Sequence, residues 1–128
     1  MRQRTDYSRL IHDGIAHSVV WDGVWPLFCQ NFRTIRYDRR GYGKSPAATT
    51  WYHETDDLAA VLRHLKVPRA VLVGSSHGGE LSTDFALCHP DMVEQFVLVG
   101  AVVSGFPLLR PFSESGHAER KAVPAERC

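Results

Sequence analysis

Ala70-Val71-Leu72-Val73-Gly74-Ser75-Ser76-His77-Gly78-Gly79 runs an unbroken apolar segment straight into a G-x-S-x-G turn. The apolar residues do not alternate with polar ones, which suits a parallel strand covered on both faces. Leu81, Phe85 and Cys88 then recur at helical spacing, so the turn joins a strand to a helix. At such a junction the middle residue, Ser76, is held in strained backbone. Gly74, Gly78 and Gly79 let the turn close without side-chain collisions. Its hydroxyl is presented above the carboxyl end of the strand. The helix N-terminus aims free N–H groups and its positive dipole end at the same spot, where the His77 N–H can bind a developing oxyanion. At average Gly and Ser usage, a chance G-x-S-x-G somewhere in this chain has odds of roughly 4%.

Three further apolar runs flank this one: Arg9-Leu10-Ile11-His12, Thr34-Ile35-Arg36-Tyr37-Asp38 and Phe96-Val97-Leu98-Val99-Gly100. The last is continuous and β-branched, again suited to a strand covered on both faces. Between the runs lie two more segments of helical period. Trp21, Val24, Trp25 and Phe28 fall at i, i+3, i+4 and i+7, as do Leu58, Val61, Leu62 and Leu65. Pro68 and Pro90 mark the ends of the second and third helices. Pro26 fits the first only in its opening turn. The order β-α-β-α-β-α-β predicts an α/β fold: a parallel sheet of about four strands with flanking helices, in three layers. Residues 1–112 form this domain. From Ser113 to Cys128 the chain is polar, without apolar period, and reads as a disordered tail.

The 128 residues allow one domain at most. Lys+Arg total 15 against 14 Asp+Glu, a net charge of +1 that argues against binding nucleic acid by phosphate neutralisation. No apolar run is long enough to span a membrane, and the N-terminus lacks the apolar core of a signal peptide. Cys29, Cys88 and Cys128 are far apart and form no Cys-x-x-Cys pair, which argues against a disulfide framework and a zinc ribbon. The default compartment is the reducing cytoplasm. Gly43-Lys44-Ser45 fails as a P-loop because Asp38 stands at its first glycine, and Gly41-x-Gly43 fails as a dinucleotide fingerprint because its third glycine is Pro46. His53-Glu54 lacks the second histidine of a zinc site. No metal or cofactor is implied.

Gly74-Ser75-Ser76-His77-Gly78-Gly79 resembles the nucleophile elbow of the α/β-hydrolase superfamily. Leu10-Ile11-His12-Asp13-Gly14 resembles that family's strand and His-Gly turn, with Asp13 where the family usually has glycine. Tyr37-Asp38-Arg39-Arg40-Gly41-Tyr42-Gly43-Lys44-Ser45 resembles its Asp-x-Arg-Gly-x-Gly-x-Ser loop. Asp84 to Pro90 and Phe96 to Gly100 resemble its next helix and strand. The resemblance covers about Leu10 to Gly105 and is nearest to the branch of enol-lactonases, cofactor-free haloperoxidases and small carboxylesterases. It implies a strand order of second, first, third, fourth, with a ligand-binding switch point between the first and third strands. It implies that Ser76 attacks an acyl carbonyl of an ester, lactone or similar small molecule. The oxyanion would meet N–H groups of His77 and of Gly14 or Ile15. His12 would order the oxyanion turn. Asp38, Arg39 and Arg40 would make structural salt bridges beneath the site. The His77 side chain would point elsewhere.

In this family the acid and then the base follow the nucleophile, on loops after later strands. Beyond the fourth strand run the only histidine is His117 and the carboxylates are Glu114, Glu119 and Glu126, all in the tail. A floppy base cannot hold attack geometry. The chain therefore resembles the middle of a larger hydrolase, short at both ends, and its outer strand would expose an edge to a second copy or a completing chain. Two functions follow: a serine hydrolase acting through Ser76, or a truncated or degenerate relative that binds a small molecule or partner chain without catalysis.

Overall fold

Tyr7–Ile11 (β1), Arg33–Arg36 (β2), Ala70–Ser75 (β3) and Val93–Val99 (β4) form one sheet in the computed structural model, which describes residues 7–105. All pairings are parallel, and the order is β2-β1-β3-β4, as expected. Helices span Trp25–Asn31 (α1), Glu54–His64 (α2) and His77–Cys88 (α3). Short 3₁₀ turns cover Ser18–Trp21 and Pro90–Met92. The tail from Ser113 lies outside the described residues.

Strand alternation sorts the side chains of β1 between the two faces. Leu10 joins Val73 and Trp21 on one face, beneath Trp25 and Phe28 of α1. Ile11 joins Leu72 on the other, beneath Leu58, Ala59 and Leu62 of α2 and Leu81 and Phe85 of α3. The result is three layers. Arg9 also occupies the second face and is fully buried. Its guanidinium lies 4.0 Å from the centroid of the Tyr37 ring, and among the described residues none of its three nitrogens has a hydrogen-bond partner. Burial lowers its pKa to about 10 and raises that of Tyr37 to about 12.

Three expectations are corrected. The helical spacing from Trp21 to Phe28 is not one helix: Trp21 closes the first 3₁₀ turn and α1 starts at Trp25. Pro26 lies in its opening turn, as anticipated, and without an N–H it cannot bond back to the preceding turn. Leu65 leaves the apolar face of α2 because the helix ends at His64 and Lys66 turns left-handed, φ +56°. The Val67 N–H then bonds the Leu62 carbonyl and the Lys66 N–H that of Arg63, which closes a Schellman motif. Finally, β4 is not covered on both faces. It is the outer strand, and Phe96 to Val99 are 39% to 52% exposed. Cys88 is disulfide-bonded, which the cysteine spacing gives no reason to expect. Among the described residues no helix is long and apolar enough to cross a membrane.

Candidate active site

Ser76 stands alone between β3 and α3 with φ +51° and ψ −115°, backbone that a residue bearing a Cβ rarely adopts. Bonds on both sides hold it there. Its N–H donates to the Val99 carbonyl of β4 at 2.9 Å. Its own carbonyl accepts from the N–H groups of Gly79 (2.9 Å), Glu80 (3.2 Å) and Val102 (3.3 Å). The flanking glycines answer to close packing. A Cβ on Gly74 would strike the Gly78 carbonyl, and one on Gly78 would strike the carbonyl of Ile11 at the end of β1. The start of α3 therefore lies directly against the chain leaving β1, and this contact brings Ser76 beside the turn His12-Asp13-Gly14.

That turn is fixed from below. His12 is fully buried, with Nδ1 2.7 Å from the Asp13 carbonyl and Nε2 accepting the Arg39 N–H at 2.9 Å. Both ring nitrogens are occupied, so His12 orders the turn and has no lone pair left for a proton. Burial first, and the Arg39 charge after the opposing Asp13 bond, hold its imidazole below the usual histidine range. Arg39, also buried, bonds the carbonyls of His12 (3.0 Å) and Asp13 (3.2 Å) and pairs with Glu54 at 2.8 Å. Arg40 pairs with Asp57 at 2.6 Å. Salt bridges thus hold Arg39 and Arg40, as expected. Asp38 chiefly accepts backbone N–H groups instead, from Lys44 and Ser18 at 2.9 Å each. Those bonds, Lys44 first, hold its carboxyl well below the usual carboxylate range.

Two of the expected N–H donors remain unengaged. Among the described residues neither the Gly14 N–H nor the His77 N–H has an acceptor. The Ile15 N–H, the other candidate on this turn, donates to Asp13 Oδ1 at 2.8 Å, and the Ala16 N–H joins it at 2.7 Å. The structure corrects the expectation at Ile15: an aspartate bonding the N–H two residues on is an Asx turn, and the signal for it was Asp13 itself.

The imidazole of His77 does not point elsewhere. It lies over Gly14, where a Cβ would strike its Cδ2. Its Nδ1 is 2.9 Å from Glu80 Oε2. Ser104 Oγ lies 2.9 Å from Glu80 Oε1 and 2.7 Å from Asp84 Oδ2, two acceptors for its one proton, and burial pushes the Asp84 carboxyl up. Sequence inspection missed Glu80, Asp84 and Ser104 as neighbours of the site. Three-residue helical spacing could have found Glu80; nothing local marks Ser104. Among the described residues the Ser76 hydroxyl has no hydrogen-bond partner and no cluster of His, Cys, Asp and Glu could hold a metal. Glu114 and His117 lie outside the described residues.

A family model described as alpha/beta hydrolase fold matches residues 10–125. The chain is 32% identical over 99 residues to a 2-hydroxymuconate semialdehyde hydrolase of Pseudomonas sp. (strain CF600), a match covering 74% of this chain and 35% of that protein. It is 39% identical over 87 residues to a bifunctional esterase/perhydrolase of Acinetobacter calcoaceticus, covering 64% and 32%. The solved structure of Est816, an N-acyl homoserine lactone degrading enzyme, superposes with a TM-score of 0.71 at 32% identity, covering 75% of this chain and 38% of that one. The chain spans about a third of the length of the curated relatives named here. With its strand order, its strained serine and these matches taken together, the chain belongs to the α/β-hydrolase fold family.

Proposed function

We propose that Ser76 is the nucleophile of a serine hydrolase acting on an ester, lactone or similar small acyl substrate. The observation that carries this is the left-handed Ser76 at the strand-helix junction, φ +51°, kept open by glycines on which no Cβ fits. Backbone strain of this kind costs about 1–3 kcal/mol and persists where its surroundings over-determine it. Ser76 Oγ attacks the acyl carbon, the acyl–oxygen bond breaks and the alcohol oxygen leaves with the proton taken from Oγ; water then cleaves the resulting Ser76 ester, which releases the acid and returns a proton to Oγ. The charge that develops on the carbonyl oxygen meets the N–H groups of His77 and Gly14, reinforced by the positive end of the twelve-residue α3. Serine at this position favours acyl transfer. The proton leaving Oγ needs a base, and His12 is excluded because both its nitrogens are bonded.

The test is intact mass after exposure to a fluorophosphonate, on the folded chain and on Ser76→Ala. One adduct on the wild type and none on the variant is the expected result. No adduct on a chain shown by circular dichroism to be folded would sink the assignment.

A further inference from the structure

Gly14 offers the acyl site its N–H, yet glycine is the residue least able to hold one backbone orientation. Only glycine fits there, because a Cβ at position 14 would strike Cδ2 of the His77 ring. Its backbone must therefore be held from outside, and bonds to both neighbouring peptides do this. The Asp13–Gly14 peptide is fixed through its carbonyl, which accepts from His12 Nδ1 at 2.7 Å and from Arg39 Nη1 at 3.2 Å. Nδ1 carries the ring proton, because Nε2 accepts the Arg39 N–H. In a trans peptide the N–H points opposite to the carbonyl, so the Gly14 N–H is turned away from His12 and Arg39. The Gly14–Ile15 peptide is held at both ends. Its N–H donates to Asp13 Oδ1 at 2.8 Å, and its carbonyl accepts the Tyr42 hydroxyl at 3.2 Å. Tyr42 is itself fixed. Its N–H donates to the Arg39 carbonyl at 2.9 Å, its ring meets that of His12 edge-on at 5.0 Å, and the Arg39 guanidinium lies 5.1 Å from its centroid.

We propose that Asp13 and Tyr42 are positioning residues of the acyl site. They grip the Gly14–Ile15 peptide from its two ends, so that the Ile15 N–H stays engaged and this turn offers the oxyanion the Gly14 N–H alone. Released from that grip, the peptide rotates about the glycine with little strain, and the chain leaving Gly14 loses its anchor. A donor that must be re-aimed at the moment of reaction stabilises the developing charge less than one held ready. The grip needs an oxygen acceptor on residue 13, not its charge, and a hydroxyl on residue 42, not merely its ring. This inference rests on Ser76 and Gly14 forming the acyl site.

Two readouts on the whole chain test it, with circular dichroism showing each variant to be folded. In Asp13→Ala the Ile15 amide should exchange with solvent deuterium about tenfold faster, the value of one net hydrogen bond. Fluorophosphonate labelling should slow about tenfold in Asp13→Ala and in Tyr42→Phe, which keeps the ring and loses only the hydroxyl. The loss should fall on the limiting rate constant and leave the half-saturating probe concentration unchanged. In Asp13→Asn the amide oxygen can still accept the Ile15 and Ala16 N–H groups, so both readouts should return to within about twofold of the wild type. Wild-type labelling in Asp13→Ala or Tyr42→Phe overturns the proposal, as does an Asp13→Asn chain no better than Asp13→Ala. A wild-type chain that takes no label is instead a failure of Ser76 as nucleophile, and the Ile15 exchange rates then still decide whether Asp13 grips the turn.

Discussion

Arg9 is a buried charge whose guanidinium nitrogens have no hydrogen-bond partner among the described residues and which lies over the Tyr37 ring. A buried cation without acceptors carries a desolvation cost that a ring face offsets in part. Arg9→Met should therefore stabilise the chain by about 1–2 kcal/mol, read as a higher urea midpoint at unchanged slope. His12 sets a pH dependence of definite sign. Its folded pKa lies below the ordinary 6.5, so the unfolded chain takes up the proton first as pH falls. Stability from neutral His12 is complete above 6.5 and is lost below it. Denaturation midpoints measured at about pH 7.5 and about pH 5.5 should differ more in the wild type than in His12→Asn. Asp38, with a folded pKa below 3.8, adds a second loss at more acid pH. Asp84 runs the other way: its carboxyl is raised, so its contribution fades as pH rises past the ordinary 3.8.

At the scale of elements, the end of α2 and the start of α3 make opposite demands on the backbone. Lys66 occupies the left-handed position of a Schellman motif that glycine fills without strain. Lys66→Gly should stabilise by about 1 kcal/mol, measured by thermal or urea unfolding. Gly78 is the reverse case. A Cβ there enters the Ile11 carbonyl, so Gly78→Ala should cost about 1–3 kcal/mol and abolish fluorophosphonate labelling by pushing α3 off β1. The strands and the elbow were legible because continuous β-branched runs and a G-x-S-x-G turn are local signals. The break before α1 was less so, since Trp21 and Trp25 keep helical spacing across a 3₁₀ turn and only Pro26 gives the interruption away. The occupied Ile15 N–H and the orientation of His77 depend on Asp13 and on Glu80 with Ser104. The first is a turn cap two residues long and the second a side-chain pair three apart, local signals that hydrophobic periodicity does not carry; the third joins side chains 24 positions apart, which nothing local reports.

Across the described molecule, β1 and β3 are paired on both sides, while β4 has one neighbour among the described residues and shows apolar side chains to solvent. Its exposed apolar run from Phe96 to Val99, within a seven-residue edge strand, is a template for further pairing. The chain should self-associate with rising concentration, and Val97→Lys should lower the weight-average mass seen in sedimentation at equal concentration. The same strand carries the carbonyl that anchors the Ser76 N–H. The residue on which the proposed chemistry depends is thus fastened to the least protected strand of the sheet. Fraying of that margin and disarming of the serine would be a single event, so the Ser76 amide should exchange with solvent deuterium at the pace of β4 and well ahead of the Leu72 amide in β3.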